Sequence, residues 1–322
     1  MKIGILAGGN PHAIALARHL HTLGVDHFGI GRSVSKPDPL WLAPVGYRYY
    51  VAHLGHDLPA ALEILDEERP DAIVSFAAQG EGAASFGSDA WRFYMMNCVV
   101  LAKVVDALRA RDYLRRFVHI GSSEVYGSVD EPVNETAPLK PTSPYSASKA
   151  TFDIHLGIMH RVHGFPIQIV RPSNCYTAGM QLHRIIPRAM IAARYGKRLS
   201  LQGGGAARKS YLDSHDLALA IMCVLERGQV GDVYNCGPDE PISIRSLVEK
   251  CADACDVPMR MFVDETPARV GEDSVYWLSS DKIKSLGWTQ TVPLGEGLAA
   301  MREWVDMFPQ LADMDSAYVV RP

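Results

Sequence analysis

The feature that most constrains this chain is a repeated change of hydrophobic period along its first half. Short apolar runs at residues 2–6, 72–76, 117–120 and 167–170 alternate with longer segments of helical period at 13–23, 91–108 and 146–163. Strands of four to six residues interleaved with helices of ten or more predict βαβ units, hence an α/β fold with a parallel sheet covered on both faces. No internal repeat or low-complexity stretch interrupts the pattern.

After about residue 175 the pattern loosens. Gly203-Gly204-Gly205 and Gly237-Pro238 punctuate it, and helical periods recur at 185–195, 214–226, 244–254 and 294–304. We divide the chain into a first domain over 1–174 and a smaller lobe over 175–322, some of whose elements can return to the first sheet. In open α/β sheets ligands bind beyond the carboxyl ends of the strands, so the cleft between sheet and lobe is the expected site.

With 322 residues, 48% hydrophobic and 21% charged, the chain can bury a full core. Its net charge of -4 and pI near 6.3 lack the basic excess that phosphate-backbone binding leaves, which argues against a nucleic-acid partner. The first apolar run is too short for a signal peptide, and no stretch reaches the roughly 18 apolar residues of a spanning helix. The expectation is a cytoplasmic protein with no membrane partner. Its six cysteines form no Cys-x-x-Cys pair and read as buried thiols without a metal site.

The turn after the first strand, Gly8-Gly9-Asn10-Pro11-His12-Ala13, stands where a dinucleotide's pyrophosphate meets a helix N-terminus. Its glycine motif is incomplete. Gly8 and Gly9 fit, whereas Asn10 or Pro11 and Ala13 replace the later glycines, and spacing gives no reason for His12. The second strand, over 27–30, runs into Gly31-Arg32-Ser33 without the acidic residue that would bind an adenosine ribose. Arg32 can meet a 2′-phosphate, so NAD and NADP both stay open.

Two segments carry the chemistry: Ser122-Ser123-Glu124 and Tyr145-Ser146-Ala147-Ser148-Lys149. Tyr145 and Lys149, four apart, share one helix face, where an ammonium beside a phenol favours the phenolate. Such a base can take the proton of a carbinol while a nicotinamide accepts its hydride, with the Ser122 hydroxyl orienting the oxygen.

The run His119-Ile120-Gly121-Ser122-Ser123-Glu124-Val125-Tyr126-Gly127, followed by Pro144-Tyr145 through Lys149-Ala150, resembles the extended short-chain dehydrogenase/reductase family of sugar-nucleotide dehydratases, epimerases and decarboxylases. The resemblance continues through Phe76-Ala77-Ala78-Gln79, Asn97, Arg171-Pro172-Ser173-Asn174, residues 208–213, Tyr234-Asn235-Cys236-Gly237 and Leu286-Gly287-Trp288. It implies a Rossmann-type doubly wound sheet with a mixed α/β substrate lobe, and a tightly bound, recycled NAD or NADP. It further implies that Asp57 and Leu58 border the adenine, that Ala77, Ala78, Gln79 and Asn97 serve the cofactor, and that Pro172 and Ser173 lie at the nicotinamide. Asn174, Arg184, Arg208 and Arg269, with Gln79 and Ser122, are the implied contacts to a nucleotide-diphosphate sugar. A homodimer through the helices at 91–108 and 146–163 is implied as well.

Members of this family begin by oxidising sugar C4, which acidifies the C5 proton. Glu124, two residues beyond Ser122, is placed as in 4,6-dehydratases, where a carboxylate removes that proton; Ser123 stands where dTDP-glucose dehydratases carry an aspartic acid. We therefore rank 4,6-dehydration first, 4-epimerisation or a related epimerisation next, and uronate decarboxylation after them. A catalytically silent nucleotide-binding homologue is the reading of a different class, motivated by the altered glycine turn.

Overall fold

Seven strands form one parallel sheet in the computed structural model of the chain, which describes residues 1–33, 39–80, 82–268, 273–318 and 320. They are β1 (Ile3–Leu6), β2 (His27–Gly31), β3 (Tyr49–Val51), β4 (Ala72–Ser75), β5 (Arg116–Ile120), β6 (Ile167–Pro172) and the strand Val233–Cys236. The order across the sheet is Val233–Cys236, β6, β5, β4, β1, β2, β3. β1 pairs with β2 on one side and with β4 on the other. The chain therefore winds outward in both directions from this pair, and a crevice opens at its carboxyl end. β1 and β4 are buried on both faces, which is why they read as unbroken apolar runs.

The helices form where local chemistry starts and stops them. In α1 (Pro11–Thr22), Asn10 accepts the His12 amide and Pro11 occupies the first turn, where a missing N–H costs nothing. α2 (Leu58–Glu68) follows the Asp57 cap. α5 (Pro144–His163) opens on a reciprocal Ser143–Ser146 capping box and ends on Gly164, whose φ of 66° the left-handed cap requires. The expected helix at 91–108 is in fact three pieces: α3 (Ala90–Tyr94), a π-helical segment Met95–Val100, and α4 (Leu101–Leu108).

Beyond residue 174 the helix Ser214–Arg227 and the strand Val233–Cys236 return to the sheet, and Leu217, Ile221 and Val224 share a core with Leu16 and Leu20 of α1. The helices Ile185–Tyr195, Ile244–Ala254 and Leu294–Met307 surround a separate core that includes Met190, Leu247, Leu298 and Trp304, whereas the short helix Asp281–Ser285 puts Ile283 into the first core. Short strand pairs complete this lobe, among them Leu199–Gln202 with Val263–Thr266. No described helix is long and apolar enough to cross a membrane.

Candidate active site

Between the carboxyl edge of the sheet and the lobe lies a cleft of about 1060 Å³. That is the upper end of, or beyond, the roughly 300–1,000 Å³ of pockets for one small molecule, and it leaves room for two ligands end to end.

One end of the cleft is the turn after β1. Ala7 adopts φ 57°, a left-handed conformation that costs a non-glycine residue about 1 kcal/mol, and so makes the tight turn without glycine. Gly9, Asn10 and His12 line the cleft, whereas Gly8, Pro11 and Ala13 do not. Ala13 is fully buried in the core shared with the helix Ser214–Arg227. Gly8 is required by packing, since a Cβ there would lie 2.7 Å from both Gly29 Cα and the Tyr47 hydroxyl. Close packing of the turn accounts for Gly8 and Ala13, and Pro11 opens α1; none of the three lines the cleft. His12 has a structural partner, with Nδ1 2.7 Å from Ser214 Oγ, whose hydroxyl in turn lies 3.0 Å from the Tyr176 carbonyl it donates to.

At the same end Arg32 is exposed and lines the cleft beside His53, Leu54 and His56. The His53 and His56 rings stack with centroids 4.1 Å apart, and burial, His56 and Arg32 together hold the His53 imidazole below its usual pKa. Asp57 and Leu58 do not line the cleft. Asp57 caps α2 through the Ala60 amide, and Leu58, the first helical residue, packs on the core beneath the sheet.

The reacting end gathers Ser122, Ser123, Glu124, Tyr145 and Lys149 with Pro172 and Ser173. Ser122 ends the loop after β5 and accepts the Glu124 amide, so Glu124 stands on the short turn 123–126 facing the cleft. Tyr145 and Lys149 rise from the first two turns of α5, with the Phe93 ring edge-on to Tyr145. Lys149 is buried, donating to the Ile120 carbonyl at 2.6 Å and to His119 Nε2 at 3.0 Å. Burial pulls its pKa down from 10.5 to about 8, with Asp153 opposing. Burial, with Lys149 and Arg171 nearby, pushes His119 far below its usual value, so the ring is a neutral acceptor. Behind it Arg171 donates to Asp153 at 2.8 Å and to the Tyr126 hydroxyl at 2.7 Å, a buried ion pair that braces α5 on β6. Ser173 Oγ is buried without a hydrogen-bond partner in the described protein, which suits the polar edge of a ligand at this place.

Ala77, Ala78 and Gln79, after β4, line the middle of the cleft. Asn97 does not; it is fully buried on the π-helical segment. Its side chain accepts the Gln79 amide at 2.7 Å and donates to the Gln79 carbonyl at 3.0 Å and to Ser148 Oγ at 2.9 Å. Asn97 therefore holds the loop and α5 together from behind the cleft wall.

On the lobe side Asn174 and Arg184 line the cleft. Arg208 does not: along its strand alternate residues face opposite ways, and Lys209 takes the cleft side, 4.5 Å above the Tyr276 ring, while Arg208 donates to the Pro241 carbonyl. Arg269 lies outside the described residues. Three groups that the motifs did not signal complete the wall. Tyr276 donates to Asp273 Oδ2 at 2.6 Å and stands 3.5 Å from Glu124 Oε2. Tyr318 lies beside Gln79.

The family model described as NAD dependent epimerase/dehydratase family matches residues 14–237. A dTDP-glucose 4,6-dehydratase of Streptomyces niveus is 34% identical over 236 residues, spanning 73% of this chain and 69% of that one. The chain belongs to the NAD dependent epimerase/dehydratase family. An Arabidopsis thaliana trifunctional UDP-glucose 4,6-dehydratase, 3,5-epimerase and reductase is 30% identical over 264 residues, and this chain spans only 39% of its length. Among solved structures of the family's fold, Streptomyces venezuelae DesIV, a dTDP-glucose 4,6-dehydratase with NAD and TYD bound, superposes with a TM-score of 0.87. Its identity is 26%, over 95% of this chain and 97% of that one. The fold is equally that of a Bacillus cereus UDP-glucuronic acid 4-epimerase, with a TM-score of 0.87 at 21% identity over 96% of this chain and all of that one.

Proposed function

We propose that this chain is an NAD(P)-dependent enzyme acting on a nucleotide-diphosphate sugar through oxidation at C4, and that its reaction is 4,6-dehydration. The observation that carries the reading is the convergence of Ser122, Glu124, Tyr145 and Lys149 on one end of a two-ligand cleft. A fold needs none of them jointly, which weighs against the catalytically silent reading.

The residues present fit a dinucleotide: a capped helix N-terminus at Asn10–His12, the Ala77–Gln79 loop above the sheet, and Pro172 with the unpartnered Ser173 hydroxyl at the far end. When bound, the nicotinamide supplies hydride acceptance and return. Tyr145 takes the C4 hydroxyl proton, Ser122 orients that oxygen, and Glu124 is placed to remove the C5 proton once C4 is a ketone. Arg184, from the lobe, and Lys209 supply cationic groups for the diphosphate. The relatives' structures support NAD, while Arg32 beside His53 leaves NADP as a second cofactor to be tested.

An exposed stripe on α5, Ile154, Ile158 and Val162, with Trp91 on α3, supports the homodimer. All six cysteines are free thiols, four buried and Cys98 and Cys175 half-buried, which suits a cytoplasmic setting.

Mass spectrometry of UDP-, dTDP-, GDP- and CDP-sugars after incubation with the protein and either cofactor tests the reading. Loss of one water from one of them is expected. An isomer of unchanged mass would replace dehydration with epimerisation, and no conversion with no bound nicotinamide would favour the silent homologue.

A further inference from the structure

Residues 315–318 also line the cleft, although they lie far beyond the segment that the family model matches. The segment is tied at both ends. On the lobe side Leu311 is buried in the lobe core and Met314 packs against it. On the sheet side the Tyr318 hydroxyl accepts from Gln79 Nε2 at 2.6 Å, and its ring meets the His183 ring edge-on, with centroids 4.9 Å apart. Between them the Ala317 amide donates to Asp315 Oδ1 at 2.8 Å, turning the chain across the opening. Asp315 to Ala317 are exposed outside and line the cleft inside, so they form a thin wall.

That wall meets the cleft at Gln79, and the loop after Gln79 leads on to the reacting end. The loop that begins at Gln79 runs past Gly82, where a Cβ would lie 2.9 Å from Glu124 Oε2, and past Gly80, where one would lie 3.6 Å from Arg184 Nη2. Asn97 already fixes both backbone groups of Gln79, which leaves the side-chain amide as the part still to be aimed. We infer that residues 315–318 wall the glycosyl end of the cleft and that Tyr318 is a positioning residue, aiming the Gln79 amide at the sugar. The inference rests on the sugar-nucleotide reading. It sets which glycosyl groups fit and leaves the nucleotide end untouched.

The test is calorimetry on the full chain with reduced nicotinamide cofactor, comparing UDP-, dTDP-, GDP- and CDP-glucose with the corresponding free diphosphates for wild type, Tyr318→Phe and Tyr318→Ala. Tyr318 lies outside the hydrophobic cores, so both variants should fold, with a melting temperature lowered by no more than the loss of the one Gln79 hydrogen bond entails. The free diphosphate should bind all three proteins equally. Affinity for its glucose conjugate should fall about three- to tenfold in Tyr318→Phe, the worth of one neutral hydrogen bond, and further in Tyr318→Ala. A purely structural role would shift conjugate and diphosphate together and overturn the inference. Equal conjugate binding in all three proteins would overturn it as well, and tighter binding in Tyr318→Ala would make the segment a plug instead of a wall. A wild type that binds none of the four conjugates overturns the sugar-nucleotide reading itself, and the wall with it.

Discussion

Lys149 is a buried amine one helical turn from Tyr145, and the burial that places it also loosens its hold on its proton. Its pKa is drawn from 10.5 to about 8, so the folded protein loses this proton before the unfolded chain does. Between those two pH values the unfolded state binds more protons, and folding stability rises with pH through the window. Relative to a Lys149→Met variant, wild-type stability should climb by on the order of 3 kcal/mol from pH 8 to pH 10.5, read from urea unfolding of both proteins across that range. No climb would mean that the amine is solvated. Near neutral pH most of the ammonium is retained, the form that favours a phenolate at Tyr145. The Ser122, Glu124, Tyr145 and Lys149 set was legible because each pair lies within one short segment. That Asp57 and Arg208 stand outside the cleft was not legible, because residue type does not reveal orientation: a helix cap and a ligand contact can both be aspartate, and one step along a strand exchanges Arg208 for Lys209.

Among the elements, the π-helical segment Met95–Val100 carries Asn97 into the core between the Gln79 loop and α5. Such insertions recur at functional sites, and hydrophobic period alone does not disclose them. Asn97→Ala would leave the Gln79 amide and carbonyl and the Ser148 hydroxyl without that partner. We expect a stability loss of about 1–3 kcal/mol in denaturant unfolding and weaker binding of NAD(H), followed by nicotinamide fluorescence. Unchanged cofactor affinity would remove Asn97 from the positioning role. The altered glycine turn is explained at the same scale. Ala7 makes the left-handed turn, Asn10 caps α1, and Gly8 and Gly9 accommodate Tyr47, Tyr49 and Trp41, so the turn meets the geometry by other residues than the motif names.

For the whole molecule, the strand and helix alternation was readable because a buried parallel sheet imposes it on sequence, whereas the far wall of the site was not. Asp273, Tyr276 and Tyr318 come from chain more than a hundred residues beyond Glu124 and Tyr145, and only the closed fold brings them to one cleft. The same closure exposes Ile154, Ile158 and Val162 in one stripe, spaced four apart along α5. If two chains pair there, light scattering should give twice the 35.3 kDa chain mass, and Ile158→Glu should give a single chain. A wild-type mass of one chain would exclude that pairing. In the proposed reaction one cleft oxidises C4 with Tyr145 and then eliminates with Glu124. Its most direct test is the nicotinamide absorbance of Glu124→Gln mixed with the sugar nucleotide that wild type converts. Reduced cofactor should accumulate without release of water from the sugar, whereas product formation at the wild-type rate would contradict the proposed dehydration.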